Sequence, residues 1–456
     1  MAKRTRLLIL LACVICFFTA TPFLVAYSMG YRFDFEARKI VGTGGIYVRT
    51  FPVAEQITID SKITAKPGIF SNAVFVQSLL PDDHAVNIKK NGYYEYFKTL
   101  PVQEKTVTKL ENVTLFKKSL AFSPIENKID YFFISPDGQN FITAAVGKKS
   151  IEFSYYNPGK AGEPQTASIS STGEISEIKW SDNSSAALIR LRILSDAFYY
   201  LFDTAGQIPT ITRLPYLDKN SKQIYFNPIN TNEIFYEENY TLYSLKNNLP
   251  KTVIKNLTTY TIFRNNILWM SADGDLFESD TSGVTISVIS NNALAVNKNA
   301  EYKITDVSGK IFLQENNSIF LFNPAVKKFE DFEAPAGAYK ILSSPDDKNI
   351  ILWNGEEIHV YSYSDKSYGR LYSGSGITNA QWLNDDYIIF TAGDEVIISE
   401  IDYRGNTNAI TLPGALNIGD DKTIEVDNPK IFFARQNGNF YIFTKNSLFV
   451  SEKITP

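Results

Sequence analysis

The longest hydrophobic run in the chain comes first, from Leu7 to about Met29, and holds no charged residue. It shows no polar face at helical period, unlike a helix packed on a protein core. About 20 apolar residues rising about 1.5 Å each cross a hydrocarbon layer of about 30 Å. The pattern predicts a transmembrane helix over 7–29, anchored by Leu7, Leu8, Leu10, Leu11, Phe17, Phe18, Phe23, Leu24 and Val25. Pro22 interrupts it, which a membrane helix tolerates. Lys3, Arg4 and Arg6 lie in the short stretch before it. Basic flanks stay in the cytoplasm, so residues 1–6 form a cytoplasmic tail and the bulk of the chain is expected outside. Tyr27 and Tyr31 fall at the outer interface.

Two other readings share this segment. A cleaved signal peptide would end near Leu24-Val25-Ala26, but the run is long for one. A lipoprotein signal is suggested by Leu10-Leu11-Ala12-Cys13, yet the chain stays strongly apolar beyond Cys13.

After a connector over 30–41, the period changes to two. Ile46 and Val48 alternate with Tyr47 and Arg49, the signature of a half-buried strand. Further alternations follow at 57–60, 74–76, 85–90 and 93–97, with a last strand over 106–115. Asn91-Gly92 suits the positive φ angles of a tight hairpin. Short strands with turn signals at this spacing predict a small β-sandwich over 42–118.

The order strand-Pro-strand-Asp, Leu-Leu-Pro-turn, strand-Lys-x-Gly-Tyr resembles a PEGA domain, a small surface β-sandwich module. The resemblance rests on Gly45, Pro52, Ile57, Ile59, Asp60, Leu80, Pro81, Lys90, Gly92 and Tyr93. Pro52-Val53-Ala54-Glu55 stands where the family has its naming tetrapeptide, and Asp82 replaces the usual Gly after Pro81. The connector Gly30-Tyr31-Arg32-Phe33-Asp34-Phe35 also looks like that of anchored PEGA proteins in small-genome bacterial lineages. The resemblance implies a wall, sheath or surface-layer location and no catalysis.

From 119 to 456 a repeating unit takes over: strand, polar turn, strongly apolar strand, turn, strand, polar connection. Its turns carry Pro136, Asp137 and Gly138 in one copy, Asp182 in the next, then Pro345 with Asp346, then Asp385. Proline presets φ, Asp accepts backbone N–H bonds, and Gly closes the turn. Units begin near 129, 175, 222, 259, 301, 338, 377 and 429, most of them about 37 to 47 residues apart, as in propeller blades. The final gap is longer and needs an extended connection. The fold class is all-β: one N-terminal transmembrane helix, a PEGA-like β-sandwich, then a β-propeller of eight blades, with seven as the alternative. A β-helix or stacked sandwiches would also suit the repeats. The last unit lacks its fourth strand, so a strand near 113–122 is expected to complete it. The Ser-Pro-Asp-Gly turns resemble Tol-type periplasmic propellers and their WD-repeat relatives, a likeness of fold alone.

Composition narrows the chemistry. Aromatics reach 14%, with 32 Phe and 26 Tyr, which favours strands. A net charge of -4 argues against nucleic acid as a partner. Both cysteines precede Ala20, so the body holds no disulfide or thiolate metal site. Two histidines, His84 and His359, fall in different domains, and neither a nucleophile elbow nor a phosphate loop occurs. No catalytic, cofactor or metal residue is assigned. Ca²⁺ at Asp346-Asp347, or at Asp385-Asp386 with Asp394, competes with plain turn capping. The expectation is a noncatalytic, membrane-anchored surface module, a scaffold or binder of a protein, peptide or surface glycan. The alternative is an exported propeller enzyme, peptidase-like or glycan-acting, with carboxylates or a hydroxyl nucleophile on its channel.

Overall fold

The computed structural model describes residues 3–35, 38–68, 71–157, 163–206, 208–332, 334, 337, 339–419 and 422–454; the side chains of 3–7 fall outside the description. One helix, Lys3–Ser28, opens the chain with Pro22 inside it. Leu8–Ser28 is the one segment among the described residues long and apolar enough to cross a membrane. Leu8, Leu10, Leu11, Phe17, Phe18, Phe23, Leu24 and Val25 are all exposed, so no protein surface covers them. Lys3, Arg4, Arg6 and Leu7 have side chains outside the described set. Gly30, at φ +83°, turns the chain left-handed after the last turn. A hairpin follows, Tyr31–Asp34 paired with Lys39–Gly42.

The chain divides into two compact units. The first is Met1–Leu120 with Ile397–Pro413 and Lys453–Pro456. Its centre is a sandwich. One sheet orders Ala73–Leu79, Gly44–Phe51 and Val107–Thr114, the last pair parallel. The other orders Ile63–Ala65, Gln56–Ile59, Asp83–Lys89 and Tyr96–Pro101. Alternate residues of both sheets meet in one core of Ile46, Val48, Ile57, Ile59, Val86, Ile88, Tyr96 and Leu100. Val113 and Leu115 are buried in that core, so the strand expected near 113–122 to finish the repeats is not there. Its apolar residues have a closer partner in Gly44–Phe51.

Along the rest of the chain the repeats become four-stranded sheets. Among the described residues seven run in plain chain order; their first strands are Tyr131–Ile134, Glu174–Trp180, Lys222–Phe226, Leu257–Phe263, Tyr302–Val307, Lys340–Ser343 and Ile377–Trp382. These are called sheets one to seven. An eighth orders Phe122–Asn127, Ser447–Ser451, Asn439–Thr444 and Lys430–Ala434. The chain thus closes on itself: a strand preceding sheet one completes the last sheet. Meander sheets in series with such a closure make a β-propeller topology. The long gap before the eighth sheet holds a hairpin, Ala415–Asn417 with Thr423–Glu425. The second compact unit is Ala121–Val396 with Gly414–Glu452.

Candidate ligand site among the first strands

The turns after the first strands show how sequence sets geometry. In sheets one, two and six a buried serine begins each turn: Ser135, Ser181 and Ser344. Each serine hydroxyl accepts the N–H of the residue that re-enters the second strand, Asn140, Ala186 and Asn349, at 2.9 to 3.0 Å. It donates to a carboxylate or amide two residues on: Asp137, Asn183 and Asp346. Pro136 and Pro345 fill the position between, and Gly138 takes φ +69°. Asp182 stands at the proline position, and Asn183 supplies the cap beside it. In sheet seven Leu383 replaces the serine. There Asn384 accepts from Asp386 and Tyr387 N–H, both at 2.9 Å, while Asp385 Oδ1 is buried without a partner.

First strands expose one edge of unpaired N–H and C=O groups, which must find partners. Side chains from other sheets supply them. Lys179 Nζ donates to Ile224 O at 2.6 Å. Gln223 Nε2 donates to Tyr302 O at 2.9 Å, and its Oε1 accepts from Tyr260 N at 3.1 Å. Thr259 Oγ1 accepts from Ile304 N at 3.1 Å. Gln381 grips sheet eight from both groups, accepting from Phe433 N at 3.0 Å and donating to Ile431 O at 2.9 Å. These clamps tie sheets two to five closely together.

The first strands of sheets one, two, six and seven, with Lys430–Ala434 of the eighth, instead surround a cavity of about 950 Å³, within the size range of ligand sites. Its wall mixes aromatic residues, including Phe132, Trp180, Trp382 and Phe432, with polar ones such as Asn379, Gln381 and Asn428. Trp382 Nε1 is engaged, donating to Leu342 O at 3.2 Å. Trp180 is 9% exposed and its Nε1–H has no acceptor, leaving one buried donor unused. Asp137 is the lining carboxylate, and its Oδ1 is already held by Ser135 Oγ and by Gln139 N at 3.0 Å. Lys430 and Arg435 add positive charge. The cavity wall therefore combines aromatic side chains with amides and two cations, a set suited to polar or anionic groups.

On the clamped side, burial pushes the Lys179 ammonium down to about 8, with Lys303 adding to the effect. Its charge lies 3.7 Å over the Tyr225 ring. A second cavity of about 1010 Å³ is lined by mixed charges, among them Lys219, Lys222, Glu237 and Glu301.

Two of the carboxylates considered for Ca²⁺ are already engaged. Asp346 pairs with Lys348 at 2.9 Å, and Asp394 accepts from Asn428 N at 2.7 Å. Among the described residues no group of three His, Cys, Asp or Glu is placed to hold a metal ion.

The sandwich motif residues have structural work. Ile57 and Ile59 are core. Asp60 accepts Ala85 N at 2.9 Å and faces His84 Nδ1 at 2.6 Å, while His84 Nε2 meets Leu80 O at 2.8 Å. Pro81 opens the bend that leads into Asp83–Lys89, and Pro52 follows Gly44–Phe51. Lys90 Nζ donates to Val53 O at 3.0 Å and lies over Tyr93. Gly92 takes φ +77°. A Cβ on Gly45 would meet Val76 O and the Phe75 ring at 2.8 Å.

One cluster had no sequence signal. In the first unit Lys98, fully buried, pairs with Glu400 at 2.5 Å and donates to Asp402 O and Asn406 O at 2.6 and 2.8 Å. Tyr96 Oη donates to Glu400 Oε2 at 2.6 Å, and Asn408 N to Oε1 at 2.8 Å. Burial raises the Glu400 carboxyl above the usual range despite these partners. Arg404 and Lys98 hold Asp402 below it, against burial.

No family model matches the chain, and no curated protein matches it. Among solved structures the chain is similar to a Dos1 propeller, at 10% identity and a TM-score of 0.46, covering 74% of this chain and 95% of that one. It is similar to Sqt1 from Chaetomium thermophilum at 8% identity and a TM-score of 0.44, covering 74% and 99%. It is also similar to Kluyveromyces lactis Hsv2, at 11% identity and a TM-score of 0.40, covering 63% and 98%.

Proposed function

We propose that the chain is a noncatalytic binding module, held in a membrane by its N-terminal helix, with its β-domains outside the cytoplasm. The ligand is a protein, peptide or surface glycan, taken at the cavity among the first strands. The PEGA-like sandwich over 42–118 serves as spacer or wall contact. The observation that carries this reading is the cavity wall: aromatic side chains, amides and two cations, with its carboxylate committed to a turn. General acid–base hydrolysis needs a pair of free carboxyl groups or an activated nucleophile, and this wall suits the holding of polar or anionic groups instead. The helix, exposed and apolar for 21 residues, supports anchoring.

Capture from intact envelopes tests it. The full chain is expected to retain a protein or polysaccharide that a Trp180→Ala chain of equal stability retains poorly. Equal recovery by both would remove the cavity as the site, and release of the chain by alkaline carbonate would remove the anchor.

A further inference from the structure

The hairpin directly after the helix has two unlike faces. Register pairs Phe33 with Ile40 and Arg32 with Val41. Val41 is 3% exposed, so the Arg32–Val41 face is the covered one. The opposite face carries Phe33 and Ile40, 49% and 64% exposed, and Phe35, 83% exposed, stands edge-on to Phe33 at 5.1 Å. A two-stranded hairpin is marginal in water, and an uncovered aromatic face makes it more so.

Position says what covers that face. Leu8–Ser28, at about 1.5 Å per residue, spans about 31 Å, the thickness of the hydrocarbon core. The hairpin begins at Tyr31, so its base lies where the core gives way to headgroups. Arg32 ties it there: Nη1 donates to Tyr27 O at 2.8 Å and the guanidinium lies 3.4 Å over the Tyr27 ring. Thr43 closes the base by donating its N–H to Gly30 O at 2.8 Å. Arg38 and Lys39, both exposed, flank the aromatic residues with positive charge. Aromatic rings beside cations suit the boundary between acyl chains and phosphate groups.

We infer that the hairpin formed by Tyr31–Asp34 and Lys39–Gly42 is a second membrane contact, seating Phe33, Phe35 and Ile40 in the headgroup layer beside the helix. It rests on the anchored reading above. The helix sets depth; the hairpin fixes the height and tilt of the sandwich that follows.

The test uses the full chain in nanodiscs of phosphatidylcholine and phosphatidylglycerol with bromine on the acyl chains. Phe35→Trp places a reporter at the aromatic tip, and Leu194→Trp, at a 95% exposed turn, is the control. The four native tryptophans are subtracted with the unaltered chain. Brominated lipid is expected to quench the Phe35→Trp signal, most strongly with bromine near the carbonyl end, and to leave Leu194→Trp unchanged. A chain that stays in the disc with an unquenched Phe35→Trp signal overturns the hairpin contact and leaves the anchor standing. A signal that shifts only when two chains share a disc assigns the face to a second copy and also overturns it. A chain that leaves the disc overturns both readings.

Discussion

Replacing Lys179 by methionine isolates the cost of a buried cation in the clamped part of the first-strand ring. The shift from 10.5 to about 8 corresponds to about 3 kcal/mol of unfavourable charging in the folded chain. Burial is its main cause, and Lys303 adds to it; Glu177 and Asp182 oppose it. A lysine whose folded value is depressed binds its proton less well folded than unfolded. The unfolded chain therefore carries more proton between about pH 8 and pH 10.5, and stability rises with pH across that window. Below it the penalty is fully present. From about pH 7 to about pH 9.5 the gain is about 2 kcal/mol, from the same linkage. Methionine keeps the length and removes the charge, but it orphans Ile224 O and gives up the contact with Tyr225. Those losses, about 1–3 and 0.5–2 kcal/mol, roughly offset the relief near neutral pH. The measurement is urea unfolding of the full chain in detergent micelles, for both proteins, at steps of pH below the tyrosine range. The stability of the original relative to Lys179→Met is expected to climb by about 2 kcal/mol. A difference that stays flat over this range refutes the buried-cation argument.

Lys98→Met leaves Glu400 buried without its cation and is expected to destabilise the first unit by about 3–5 kcal/mol, read as earlier proteolysis of the sandwich. Adding Glu400→Leu recovers part of that, since Tyr96 and Asn408 still lose their acceptor. Gly45→Ala pushes a methyl against Val76 O and the Phe75 ring and is expected to cost about 1–3 kcal/mol by thermal unfolding. Gly92→Ala, where no atom lies within 4 Å but φ is +77°, costs about 1 kcal/mol. In sheet seven, Asn384→Ala is expected to lose about 1 kcal/mol and Asp385→Ala almost nothing; the reverse ranking would move the cap to Asp385.

Local pattern carried much of the architecture. Uninterrupted apolarity marked the helix, and period-two alternation marked Gly44–Phe51 and Gln56–Ile59 because each has one buried face. Turn residues located the first strands, since proline and aspartate act on their own backbone neighbours. The serine of the Ser-Pro-Asp-Gly turns was legible as part of the repeat but its role was not: a hydroxyl that holds both strand ends looks like any other small polar residue. The closing strand was expected near 113–122 and stands at Phe122–Asn127, because strand propensity does not say which of two sheets a segment joins. Lys98 and Glu400, 302 residues apart, share no pattern at all. Which of Trp180 and Trp382 keeps a free N–H depends on contacts with distant strands, which no local pattern shows.

The eighth sheet has a temporal consequence. Ala121 N–H reaches Glu452 Oε1 across 331 residues, and Phe122 pairs with Ser451 beside it. A ribosome delivers Phe122 long before Ser451 exists, so this early strand waits with a bare edge while seven sheets are laid down. Prematurely terminated chains keep that edge permanently, which makes them natural targets for proteases and aggregation.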